Sequence, residues 1–135
     1  MATIEITYQD QSCCEAFHTA SGQRLKATNQ PVGTAGSETF SPTDLLAAAF
    51  GISLAIRLGE AAESELLDLR GMKITVTQEM TDGPRRRIGR LCALVEMPLP
   101  LTSGMKAAFA RAALNCPVKE SLCAEIETAV QFVFV

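Results

Sequence analysis

The sequence has no surplus of positive charge. Lysine and arginine number 12 against 15 aspartates and glutamates, for a net charge of −3. General nucleic-acid binding needs a basic footprint, and docking on anionic membrane needs a polybasic patch, so neither partner is expected. The opening residues, MATIEITYQD, hold no basic run followed by an apolar stretch, which argues against a signal peptide and for a cytoplasmic address. The longest apolar run, Leu45 to Ile56, is too short to cross a bilayer and reads as a buried core helix. No repeat and no low-complexity tract interrupts the chain. Cysteine is odd in number (Cys13, Cys14, Cys92, Cys116 and Cys123), which speaks against a closed disulfide framework. In the cytoplasm these side chains are expected as reduced thiols.

What remains is an ordinary globular balance, with 47% hydrophobic and 20% charged residues over 135 positions. That length suits one domain, residues 1–135, with enough core to fold without disulfides or metals. Ile4, Ile6 and Tyr8 alternate with polar residues and predict a strand. Extended segments over 13–19 and 24–28 follow, with Ser21-Gly22 as the turn between them. Residues 30–40, rich in glycine and small polar side chains, read as a loop. Ser41-Pro42-Thr43-Asp44 is a helix start: serine as the cap, proline first in the helix, aspartate three residues after the cap. The helix is expected to reach about Leu58, with Gly59 as its stop and a shorter stretch near 61–67. Its middle is apolar all round, so it is expected to be buried on every side by its sheet, another helix or a second subunit.

Met72, Ile74, Val76 and Met80 mark a half-buried strand. Asp82-Gly83 marks a hairpin turn, and Leu91, Ala93, Val95 and Met97 a second strand. Thr102 or Ser103 caps a helix to about Leu114. Asn115-Cys116-Pro117 breaks it, a short helix runs to about Ala124, and a last strand covers 126–135. Hairpin-paired strands with helices between them predict an α+β fold with antiparallel sheet.

Several residues are candidates for chemistry. Cys116 precedes a proline that suits a first helical turn, where unpaired N–H groups and the helix dipole favour an anion. Lys119 adds positive charge one turn on. The alternative is a small apolar cap packed in the core. Ser53 sits mid-helix, where a hydroxyl bonded back to the Ala49 carbonyl is the plain expectation. A nucleophilic serine needs a base in reach, but the chain has one histidine, His18, and Gly51-Ile52-Ser53-Leu54-Ala55 is not a nucleophile elbow. Asp44 is the capping partner, with lone pairs left to orient an arginine or a substrate hydroxyl. Cys13, Cys14 and His18 suggest a metal, but alternation puts only Cys14 and His18 on one face, short of a structural zinc set. Arg85, Arg86, Arg87 and Arg90 form a basic cluster beside a turn, where charge ordinarily discourages strand pairing.

Two of these stretches together resemble the OsmC/Ohr hydroperoxide-resistance family. Ser41 to Ala49 (SPTDLLAAA) is similar to the S-P-x-[DE]-L-L-x-A-A opening of that family's central helix. Cys116-Pro117-Val118 with Leu122 is similar to its C-P-V-x-x-x-L segment, and Leu99-Pro100 and the order of segments also fit. The resemblance implies an OsmC-like fold, with antiparallel sheets wrapped around central helices in an intertwined homodimer. It implies thiol-based reduction of organic hydroperoxides; neither a cofactor nor a metal is expected. An attacking cysteine on the central helix becomes a sulfenic acid, a second cysteine closes a disulfide with it, and a thiol reductant resets the pair. Cys116 matches the second cysteine. The attacking position falls twelve residues after the serine of S-P, on Ser53. The acidic helper maps to Thr43 or Asp44, and its arginine partner to Arg24.

Serine in that place matters. A thiol ionises near pH 8.5, whereas an alkanol is far less acidic, and oxygen has no counterpart to sulfur's reversible oxidation ladder. Three readings follow. The first is an altered peroxidase in which Cys116 is oxidised and resolved by an external thiol or by Cys123. The second is a non-catalytic module that binds a small apolar ligand in a dimer-interface pocket. The third is a structural or regulatory interaction protein.

Overall fold

A computed structural model describes residues 1–29 and 39–134. Most of the loop expected over 30–40 lies outside the described residues, as does Val135. The elements are β1 (Ile4–Asp10), β2 (Cys13–His18), β3 (Arg24–Thr28), α1 (Pro42–Ser64), β4 (Lys73–Met80), β5 (Ile88–Glu96), α2 (Ser103–Leu114), α3 (Pro117–Ser121) and β6 (Glu127–Val133). The fold is α+β, as the alternation of strand and helix patterns implies. The chain divides into two compact units, Met1–Leu46 and Ala47–Val135.

The first unit is an antiparallel meander in the order β1-β2-β3. Gln11 and Ser12 both take positive φ (47° and 63°), the left-handed pair whose twist matches a tight hairpin. Ser21-Gly22 does turn β2 into β3, with Gly22 at φ 77° and its N–H donating to the His18 carbonyl at 2.8 Å. Phe40 forms a parallel bridge with Ala27. The alternation in β1 gives a strand but no buried face, because Ile4, Ile6 and Tyr8 are all exposed. The helix cap forms as the sequence implies. Ser41 N–H donates to Asp44 Oδ2 at 3.0 Å, and Asp44 N–H donates to Ser41 Oγ at 3.1 Å. Each group satisfies a donor that the first helical turn leaves open.

The second unit holds most of α1, a three-stranded sheet and the two shorter helices. The α1 helix runs through Gly59 to Ser64 and absorbs the separate stretch expected near 61–67. A mid-helix glycine costs about 1 kcal/mol. Here Leu58 and Ala62 flank it in the core, so burial carries the helix onward. The actual stop is Leu66 at φ 57°, with Leu67 N–H on the Ala62 carbonyl and Leu66 N–H on the Glu63 carbonyl. That bond pair is a Schellman close, made with leucine where glycine is usual.

By length and composition α1 could cross a membrane, with mean hydropathy 1.6 over its best window. Its use is that of a core helix. Phe50, Leu54 and Leu58 are fully buried at helical spacing, in one core with Leu91, Ala93 and Val95 of β5 and Phe109 and Ala113 of α2. The burial is one-sided, since Ile52 and Ile56 remain 61% and 56% exposed. Gly51 lies where the helix meets β4. A Cβ there would stand 2.8 Å from Val76 Cγ2, so only glycine allows this approach.

Strand β4 alternates as expected, with Ile74, Val76 and Met80 inward. It pairs antiparallel with β5, but the connection is the seven residues 81–87 and not a tight turn at Asp82-Gly83. Thr81 N–H donates to the Arg87 carbonyl at 2.8 Å and closes that loop. Strand β6 pairs with β5 in parallel, so this sheet is mixed rather than wholly antiparallel. The cause is the connection. Two helices lie between β5 and β6, and a chain returning across the sheet face re-enters in the same direction. Thr102 caps α2, its Oγ1 accepting from Met105 N–H at 3.2 Å. Helix α3 ends at Ser121, earlier than the sequence suggests.

Candidate functional site

Ser53 and Cys116 are 63 residues apart in sequence and meet in the second unit. Proline at 117 disfavours helix in the residue before it. Cys116 is accordingly extended (φ −81°, ψ 118°), between the end of α2 and the start of α3. Its carbonyl accepts from Glu120 N–H at 3.0 Å, which opens α3. That backbone turns the thiol inward, and Cys116 is fully buried in the core. Its Sγ donates to Ser53 Oγ at 3.0 Å.

Ser53 is half-buried on α1 and faces outward past the thiol. With Ala49, Ile52 and Ile56 of α1 and Pro117 and Val118 of α3 it lines a groove of about 480 Å³. That volume is typical of small-molecule sites, as is a mostly apolar wall with a few polar groups, here Ser53, Arg57 and Glu60. The hydroxyl therefore stands between the groove and the buried sulfur. A hydroxyl has one proton to donate and two lone pairs, so it can accept from the thiol and still meet a ligand.

Arg57, one turn beyond Ser53, also lines the groove, and its Nη1 donates to Glu60 Oε2 at 2.9 Å. The sequence reading overlooked this residue. The available signal was spacing, since position i+4 from Ser53 shares its helix face.

The other candidates lie elsewhere. Asp44 is held in the cap of α1, nine residues before Ser53 on the same helix, and belongs to the first unit. Thr43 Oγ1 is 3.3 Å from Ser41 Oγ. Arg24 on β3 pairs with Glu15 on β2, and its guanidinium lies 4.4 Å above the Phe17 ring. His18 Nδ1 is 2.6 Å from Ser21 Oγ. Ser53 lies inside a regular helix rather than on a strand-to-helix turn, which removes the elbow geometry a serine hydrolase would use.

Among the described residues no cluster of three or more metal-type ligands occurs. In the basic cluster, Arg87 pairs with Glu125 and Arg90 with Glu79 and Glu127, which ties two of its members to neighbouring acids. All five cysteines are free thiols. Cys123 is exposed beyond the far end of α3 from Cys116. Five helical residues span about 7 Å, so α3 must unwind before these two sulfurs can join. Away from the groove, hydrogen bonds from Arg70 hold the exposed Asp68 carboxyl below its ordinary value.

The sequence profile of the family described as OsmC-like protein matches residues 34–131, a span that includes α1, Ser53 and Cys116. The chain belongs to the OsmC-like protein family. Solved structures agree. A Psychrobacter arcticus protein, described as a candidate osmotic stress induced and detoxification response protein, is 29% identical with a TM-score of 0.90, over 98% of this chain and 96% of its own. The organic hydroperoxide resistance protein OsmC of Legionella pneumophila is 13% identical with a TM-score of 0.75, over 98% and 96%. The organic hydroperoxide resistance protein OhrB of Bacillus subtilis is 14% identical with a TM-score of 0.74, over 98% of both chains. At those identities the last two establish likeness of fold. No curated protein matches the chain by sequence.

Proposed function

We propose that this OsmC-like protein is a cytoplasmic stress-response relative of the thiol-dependent hydroperoxide reductases that does not run their two-cysteine cycle. The observation that carries this is the Cys116 Sγ to Ser53 Oγ contact of 3.0 Å. It pairs one sulfur with one hydroxyl where the cycle needs two sulfurs. The hydroxyl lines the groove while the only thiol of the pair is fully buried. A peroxide entering the groove would meet oxygen, which cannot take up and pass on an oxidising equivalent. The groove is then a binding site for a small apolar ligand, and Ser53 is its polar contact.

Reduced protein mixed with cumene hydroperoxide and a dithiol is expected to consume no more peroxide than a Cys116→Ser variant does. Rapid turnover that depends on Cys116 would restore the altered-peroxidase reading instead.

The same proposal has two copies of the chain closing the groove. Support comes from apolar surface left open within each unit: Ile4, Ile6 and Tyr8 on β1 in the first, Ile52 and Ile56 on α1 in the second. Contiguous exposed apolar surface of this kind marks interfaces. Sedimentation equilibrium is expected to give twice the 14.4 kDa chain mass. A monomer at micromolar concentration would sink this part of the proposal.

A further inference from the structure

Arg57 has no task in the reading above. It lies one turn from Ser53, in a groove whose remaining walls are apolar apart from Ser53 and Glu60. Its Nη1 is paired with Glu60, but its Nε is shielded from solvent and has no hydrogen-bond partner among the described residues. A covered donor without an acceptor is unfavourable, and a ligand that supplies the acceptor gains what the free protein loses. The side chain as a whole is 38% exposed and lines the groove, so the guanidinium is open to a ligand there.

Glu60 does not lock the guanidinium. It is 56% exposed and reaches Arg57 only as an i,i+3 pair on the helix surface, an arrangement worth little in water. An anion with two oxygens in one plane matches the arginine fork better, because it can take Nε and a terminal nitrogen at once. The neighbouring Ile52, Ile56 and Val118 offer hydrocarbon surface and no second charge.

We propose that Arg57 sets the ligand class of the groove, and that the class is small apolar monocarboxylates. The carboxylate sits on the Arg57 guanidinium and displaces Glu60 into solvent. The hydrocarbon chain lies along Ile52, Ile56 and Val118, within reach of the Ser53 hydroxyl. This rests on the binding-module reading and adds the head group to it.

Isothermal titration with octanoate and with octanamide, its neutral counterpart of the same shape, tests the assignment. Octanoate is expected to bind the unmodified protein about tenfold more tightly than octanamide, as a charge-assisted bond predicts. Arg57→Gln should bring the two to parity by weakening octanoate alone, and Arg57→Lys should retain part of the preference. Equal affinities in the unmodified protein, or a preference that survives Arg57→Gln, would overturn the role of Arg57 while leaving the groove as a binding site. Binding of neither probe would overturn the groove reading and this proposal with it.

Discussion

Ser53→Cys is expected to turn the protein into a dithiol-dependent hydroperoxide reductase. The argument is geometric. Cys116 Sγ already stands 3.0 Å from the side-chain atom at position 53. A disulfide needs about 2.05 Å between sulfurs, so roughly 1 Å of approach closes the bridge. One side chain comes from α1 and the other from the extended residue that opens α3, packed in the core, which fixes their separation before any oxidant arrives. The introduced thiolate faces the groove and attacks the terminal peroxide oxygen. The O–O bond breaks, the sulfur keeps that oxygen as a sulfenic acid, and the alkoxide takes a proton from water and departs as the alcohol. Cys116 then attacks that sulfenic sulfur, expels water and forms the disulfide, which the dithiol reduces.

Peroxide consumption should rise by about two orders of magnitude or more over the unmodified protein, since a nucleophile is supplied where none existed. Oxidised variant should lose two free thiols and two mass units per chain. In a Ser53→Cys, Cys116→Ser double variant the sulfenic acid should form and persist. If the single variant forms no disulfide under peroxide, position 53 is not the counterpart of the attacking cysteine. If it forms the disulfide but turns over no faster, the groove has lost whatever else the chemistry needs.

Much of the frame behind this prediction was legible in the sequence, because local rules govern it. Ser41 and Asp44 specify the start of α1 through four covalently close residues, and both expected bonds form. The period-2 pattern of β4 gives its inward face directly. Local rules failed where distant burial decided. Gly59 reads as a stop, yet Leu58 and Ala62 find the core and the helix continues until Leu66 turns it. Strand β6 is recognisable as a strand, but its parallel pairing with β5 depends on the path of α2 and α3, which periodicity does not encode.

The site divides in the same way. Pro117 makes Cys116 a distinctive position from chemistry alone. Nothing in the residues around Ser53 points to position 116, and the pairing was expected through resemblance to a family. Arg57 went unnoticed because its unpartnered nitrogen is a fact of burial, whereas in sequence it is one more arginine after an apolar run.

Gly51→Ala is expected to destabilise the protein by up to about 2 kcal/mol, although alanine is the better helix former. Propensity favours the substitution by about 1 kcal/mol. Against it, the new methyl would stand 2.8 Å from Val76 Cγ2, and overpacking of this kind costs about 1–3 kcal/mol. Relief requires either α1 to move off β4 or Val76 to leave its place. Val76→Ala removes the opposing methyl, so the double variant should be more stable than the sum of the single changes by about 1 kcal/mol. Urea denaturation followed by circular dichroism measures all four proteins; strictly additive effects would mean that α1 and β4 do not meet at Gly51. The consequence reaches the site, because Ser53 is two residues further along α1. A helix displaced from β4 carries position 53 with it while α3 holds Cys116. Placed in the Ser53→Cys background, Gly51→Ala should therefore slow disulfide closure, and Val76→Ala should restore it. Closure that is indifferent to both changes would show that the separation of positions 53 and 116 is set elsewhere than at the contact of α1 with β4.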